Sequence, residues 1–68
     1  MEYIIKYWET ETDRNRGESN IYLPNNKTDL SDVKNQATRL YNRDGLACVE
    51  VVIYAGTDDE KCLLHLSN

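Results

Sequence analysis

The stretch DLSDVKNQATRLYNRDG, residues 29–45, decides the fold of this chain. Leu30, Val33, Ala37, Leu40 and Tyr41 recur at steps of 3, 4, 3 and 1, which places all five on one stripe of a helix. Asp29 offers a side-chain oxygen to the free N–H groups of a first turn, and Asp32 adds negative charge at the positive end of the dipole. Arg39 and Arg43 put cations near the other end, and Gly45 stands where a left-handed residue closes a helix. The pattern predicts one amphipathic helix at about 29–43.

On either side the period changes from helical to alternating. Residues 2–9 are rich in β-branched and aromatic types and read as a first strand, with Tyr3, Ile5 and Tyr7 on one face and Ile4, Lys6 and Trp8 on the other. The polar run ETETDRNRGE, residues 9–18, reads as a loop whose mixed charges argue against a phosphate grip. Ser19–Leu23 is a short second strand, with Ile21 and Leu23 on one face and Tyr22 on the other, closed by Pro24. Residues 24–28 form a turn. Beyond the helix, ACVEVVIY at 47–54 is a third strand and KCLLHLS at 61–67 a fourth, joined by Gly56-Thr57-Asp58-Asp59.

The last hairpin has an internally consistent register. With the turn centred on Thr57-Asp58, Val49 faces Leu66, Val51 faces Leu64 and Ile53 faces Cys62, all on one face. The other face then pairs Glu50 with His65, Val52 with Leu63 and Tyr54 with Lys61, and a slip of one residue would mix the two sets. One helix has one apolar stripe, so it covers one sheet face. The expected fold is a single α+β domain over 1–68, with element order β-β-α-β-β. Its mostly antiparallel four-stranded sheet has order 2-1-3-4 favoured over 1-2-3-4, in which strands 2 and 3 would be parallel.

Length and composition restrict function. At 68 residues, with 40% hydrophobic and 29% charged residues, there is room for one small core and no separate cofactor and substrate domains. The formal net charge of −4 works against phosphate backbones and anionic lipid, so neither direct nucleic-acid binding nor membrane binding is expected. There is no long apolar run and no signal-peptide pattern at the start, and two cysteines make no disulfide framework, so a reducing cytoplasm is the default compartment. Asn26-Lys27-Thr28 matches a glycosylation sequon, read as chance in that context.

Catalytic signatures are sparse. No serine sits in an elbow motif, no glycine-rich loop precedes a helix, and there is no CxxC pair, so no enzyme activity, cofactor or metal is expected. The one polar pair of interest is Glu50 with His65, which reads as a general-base dyad, half a metal site, or a surface pair worth up to about 1 kcal/mol. Cys62 is placed in the core and Cys48 on the opposite face as a partly exposed thiol. Asp58-Asp59-Glu60 is a weak hard-cation candidate or a solvated turn.

The sheet face away from the helix carries the functional expectation. Ile4, Trp8, Tyr22, Val52, Tyr54 and Leu63 are all assigned there, an aromatic and aliphatic patch of the kind that marks interfaces. The first expectation is therefore a non-enzymatic interaction module that uses this face for a second copy or a partner protein. The alternative is a mobile-element inhibitor whose acidic surface occupies a basic nucleic-acid-binding groove.

The opening YIIKYWETETDR, the helix DLSDVKNQATRLYNRDG and the strand ACVEVVIY together resemble small uncharacterised proteins of Gram-positive bacteria and their phages, over nearly the whole chain. That group has no established activity, so the resemblance implies no site residue and no cofactor. In size and topology the layout is also similar to some phage anti-CRISPR proteins, a likeness of fold and not of function.

Overall fold

A computed structural model describes residues 3–24 and 29–67. The turn and the sequon expected at 25–28, and Glu2 of the first strand, lie outside the described residues. The elements are β1 (Tyr3–Trp8), α1 (Glu11–Arg16), β2 (Asn20–Tyr22), α2 (Leu30–Asp44), β3 (Cys48–Ile53) and β4 (Lys61–Ser67). The four strands form one sheet in the order β2-β1-β3-β4, antiparallel throughout.

α2 forms where its stripe and caps place it. The Asp29 carboxylate accepts the Asp32 N–H at 2.9 Å, and Gly45 closes the helix at φ 61°. Val33 and Ala37 are buried against Ile5, Val49, Val51 and Leu46. Tyr3, Tyr7, Leu30, Leu40, Tyr41, Leu63 and Leu64 pack around this centre. Burying a side chain such as Ile5 contributes about 1.5–3 kcal/mol, a large share of what so small a domain has.

Three expectations are corrected. The first concerns residues 9–18, which are not simply a loop: Glu11–Arg16 is helical. The Thr10 hydroxyl accepts the Asp13 N–H at 3.1 Å, and Gly17 at φ 73° donates its N–H to Arg14 at 3.1 Å. Glu11 and Asp13 lie in the first turn, Arg14 and Arg16 in the last. Caps and dipole hold this single turn and a half, and none of its residues is buried.

The second correction is β2. Ile5 pairs with Tyr22 and Lys6 with Ile21, so Tyr22 shares the α2 side of the sheet and Ile21 the open side, the reverse of the expectation. This position lies at the rim of α2, where Tyr22 lines a cleft beside Leu40 and remains exposed, its amphipathic ring suiting a half-wet site better than an isoleucine does.

The third is the hairpin. Val49–Leu66, Glu50–His65 and Val51–Leu64 pair as expected, but a bulge between Val51 and Val52 then shifts the register, giving Val52–Cys62 and Ile53–Lys61. Leu63 is the extra residue. It packs under α2 with Leu64, and Cys62 turns to the open face and is exposed. The bulge adds Leu63 to Leu64 and Leu66 on the α2 side and takes Cys62 away from it. Tyr54 leaves the strand at φ 58° and begins the turn.

That turn is tied down by Glu60, whose carboxylate accepts the Gly56 N–H at 3.2 Å and the Lys6 ammonium at 3.2 Å. The Gly56 hydrogen bond, and then Lys6, hold the Glu60 carboxyl below its ordinary value. A lowered folded value means a contribution that is present above the ordinary value and lost as pH falls through the folded one. Glu60→Gln is therefore expected to flatten the acid limb of stability below about pH 4.3. Urea midpoints of the two proteins between pH 3 and pH 6 check this. Parallel acid limbs would place Glu60 outside the turn's stability.

Candidate functional site

The sequence gathers six apolar residues on the open face, and the structure separates them. Ile4 and Trp8 of β1 do lie there, opposite Val52 and Cys48 of β3. Val52 is 3% and Cys48 1% exposed although α2 lies on the other side. Their partners on β1, Ile4 and Trp8, are half-buried, and α1 stands near enough for Arg14 and Glu11 to act on the Cys48 thiol. Trp8 Nε1 is buried with no hydrogen-bond partner among the described residues. Tyr22 and Leu63 belong to the α2 side, and Tyr54 to the turn. The open face is thus a partly self-covered surface and not one continuous aromatic patch.

Glu50 and His65 do meet, with Oε2 2.7 Å from Nδ1. The Cys48 Sγ lies 3.9 Å from the same Nδ1, and Ser67 Oγ lies 3.2 Å from Nε2. Burial pushes the Cys48 thiol up, Arg14 pulls it down and Glu50 pushes it up again. Cys62 is also raised, by burial and then by Glu50, with its thiol donating to the Leu64 carbonyl at 3.3 Å. Neither thiol is activated, and a nucleophile–base relay needs thiol and carboxylate on different ring nitrogens, whereas both stand at Nδ1 here.

Exposed apolar surface gathers instead on an edge strand. Among the described residues the exposed large hydrophobics are Ile21 at 57%, Tyr22 at 48%, Leu23 at 71% and Tyr54 at 47%. Three of them are consecutive, on and just after β2, whose outer edge has no neighbouring strand among the described residues. Beside β2, under the last turns of α2, is a cleft of about 170 Å³ lined by Ile5, Tyr22, Gln36, Arg39, Leu40 and Arg43. Arg43 bonds Asp44 at 3.0 Å, and Arg39 makes no ion pair among the described residues. The opposite edge, β4, carries the bulge and a lysine, two features that discourage strand addition.

Sequence reasoning missed this site because it assigned Arg39 and Arg43 to the helix dipole alone. The available signal was their spacing of 4, which brings both to one side of α2. Comparison with family models, curated proteins and solved structures gives no match for this chain.

Proposed function

We propose that this chain is a non-enzymatic interaction module that takes an extended segment of a partner protein along the outer edge of β2. The observation that carries this reading is the run of exposed Ile21, Tyr22 and Leu23 on an edge strand beside a cleft with two arginines. An added strand hydrogen-bonds to the free backbone edge, and its side chains alternate between the two faces. Those on the α2 side meet Tyr22, Leu40, Arg39 and Arg43; those on the open side meet Ile21. The matching segment therefore alternates carboxylate and apolar residues. Within one Debye length, about 8 Å, Arg39 supplies a local cation unpaired among the described residues and Arg43 one shared with Asp44, against a net charge of −4 spread over the whole surface.

A fluorescein-labelled peptide of alternating glutamate and valine tests the reading by anisotropy. Binding is expected to the native chain. It should fall by about tenfold or more in Arg39→Glu/Arg43→Glu and weaken with added salt. Both arginines are exposed, so the helix should survive the change. Equal binding by the double variant, or no binding by the native chain, would contradict the reading.

A further inference from the structure

On the open face, away from the β2 edge, three different donor types converge. Cys48 and Glu50 are two residues apart on the central strand β3, so their side chains leave the same face, and His65 stands directly across from Glu50 on β4. One ligand atom from each, Sγ, a carboxylate oxygen and Nδ1, lies within 4.8 Å of the other two. We infer that Cys48, Glu50 and His65 form a binding site for a borderline divalent transition metal, Zn²⁺ in the first instance.

The chemistry of Nδ1 points this way. Ser67 Oγ is placed at 3.2 Å to accept a proton from Nε2. In the absence of a metal, Nδ1–H donates to the Glu50 carboxylate at 2.7 Å with the Cys48 sulfur 3.9 Å away; a metal ion that displaces this proton takes up the Nδ1 lone pair, the other ring proton then lying on Nε2 toward Ser67. Three electron-rich atoms then face one another. A single proton on Nδ1 satisfies one neighbour, whereas a metal ion satisfies all three.

The separations suit such an ion. Tetrahedral zinc with nitrogen and oxygen ligands keeps neighbouring donors about 3.4 Å apart, and sulfur slightly farther. The observed 2.7 and 3.9 Å bracket that value, so small rotations of the exposed His65 and half-buried Glu50 side chains toward the buried Cys48 suffice. A thiolate together with an imidazole and a carboxylate selects zinc-like metals over magnesium or calcium. Ser67 is the positioning residue, since an imidazole ligand is oriented by the hydrogen bond on its other nitrogen. Lys6, across from Glu50 on β1, bonds Glu60 at 3.2 Å and so leaves Glu50 to His65. Among the described residues no fourth donor of the kind a closed structural zinc site needs joins the cluster, and Cys62 bonds the Leu64 carbonyl outside it. Three protein ligands leave one coordination position for water or a further ligand.

Cobalt(II) is the probe, added to the reduced, chelator-washed chain. One equivalent is expected to give a thiolate-to-cobalt charge-transfer band and tetrahedral visible bands, both removed by one equivalent of Zn²⁺. Cys48→Ser should lose the charge-transfer band, and Cys62→Ser should keep it. Should Cys48→Ser fail to fold, two exposed variants carry the test by Zn²⁺ competition with a chromophoric chelator. His65→Gln and Ser67→Ala should each weaken Zn²⁺ by about 10–100-fold. Absence of the band in the native chain, its loss in Cys62→Ser, or unchanged Zn²⁺ affinity in both exposed variants would overturn the site.

Discussion

Ile5→Ala is expected to destabilise the chain by about 2–5 kcal/mol. Ile5 is fully buried, pairs with Val51 on β3 and Tyr22 on β2, and touches the centre of the core beneath α2. Its truncation removes apolar contact and leaves a cavity that strands on both sides prevent from closing. A domain of this size has about 3–10 kcal/mol in all, so the variant stands near the edge of unfolding at room temperature. Ile5 also lines the cleft beside β2, so the same change should weaken capture of the acidic peptide. Urea denaturation is the measurement, with a lower midpoint and an unchanged slope expected. A loss under about 1 kcal/mol would mean that the core is not centred on this residue.

The second large effect lies in the bulge of β4. Leu63→Gln is expected to lose about 2 kcal/mol, since it puts an amide against the leucines and valines beneath α2. Cys62→Gln is expected to change stability by less than about 0.5 kcal/mol, because Cys62 is exposed on the other face. An unbroken hairpin ladder reverses the two results. Paired urea denaturations of the variants therefore decide the register directly, and a larger loss at Cys62 than at Leu63 would remove the bulge.

The legible parts of this sequence are those where burial imposes a period. The stripe from Leu30 to Tyr41 and the alternation of β1 and β3 placed α2, the sheet order and the core. Glu50 and His65 were legible as a pair because the hairpin is anchored by Val49–Leu66 and Val51–Leu64 on either side. α1 was not legible from hydrophobic pattern, since it buries nothing; its signals are Thr10, the acidic first turn, the basic last turn and Gly17. β2 was misread because three residues of alternation fit either face equally well, and only the rim position beside α2 distinguishes them. The bulge was hidden because Cys62, Leu63 and Leu64 are all apolar, so both registers satisfy the pattern. That shift is what carries Cys62 out of the core and Leu63 into it, while Cys48, expected to be partly exposed, is buried.

The proposed position of function follows from these corrections. On the face expected to be open and aromatic, Cys48 and Val52 are buried and Ile4 and Trp8 half-buried, and three of the exposed large hydrophobics lie on and just after β2. Long-range charge repels acidic partners from the chain as a whole, and the arginines of α2 supply the local exception.

Docking along β2 is tested most directly by following backbone amide resonances of the labelled chain while the glutamate–valine peptide is added. Shifts confined to Asn20–Leu23 and to α2 around Arg39 and Arg43, with β4 unmoved, are the predicted result. Shifts along Lys61–Ser67, or centred on Ile4 and Trp8 of the open face, would contradict it.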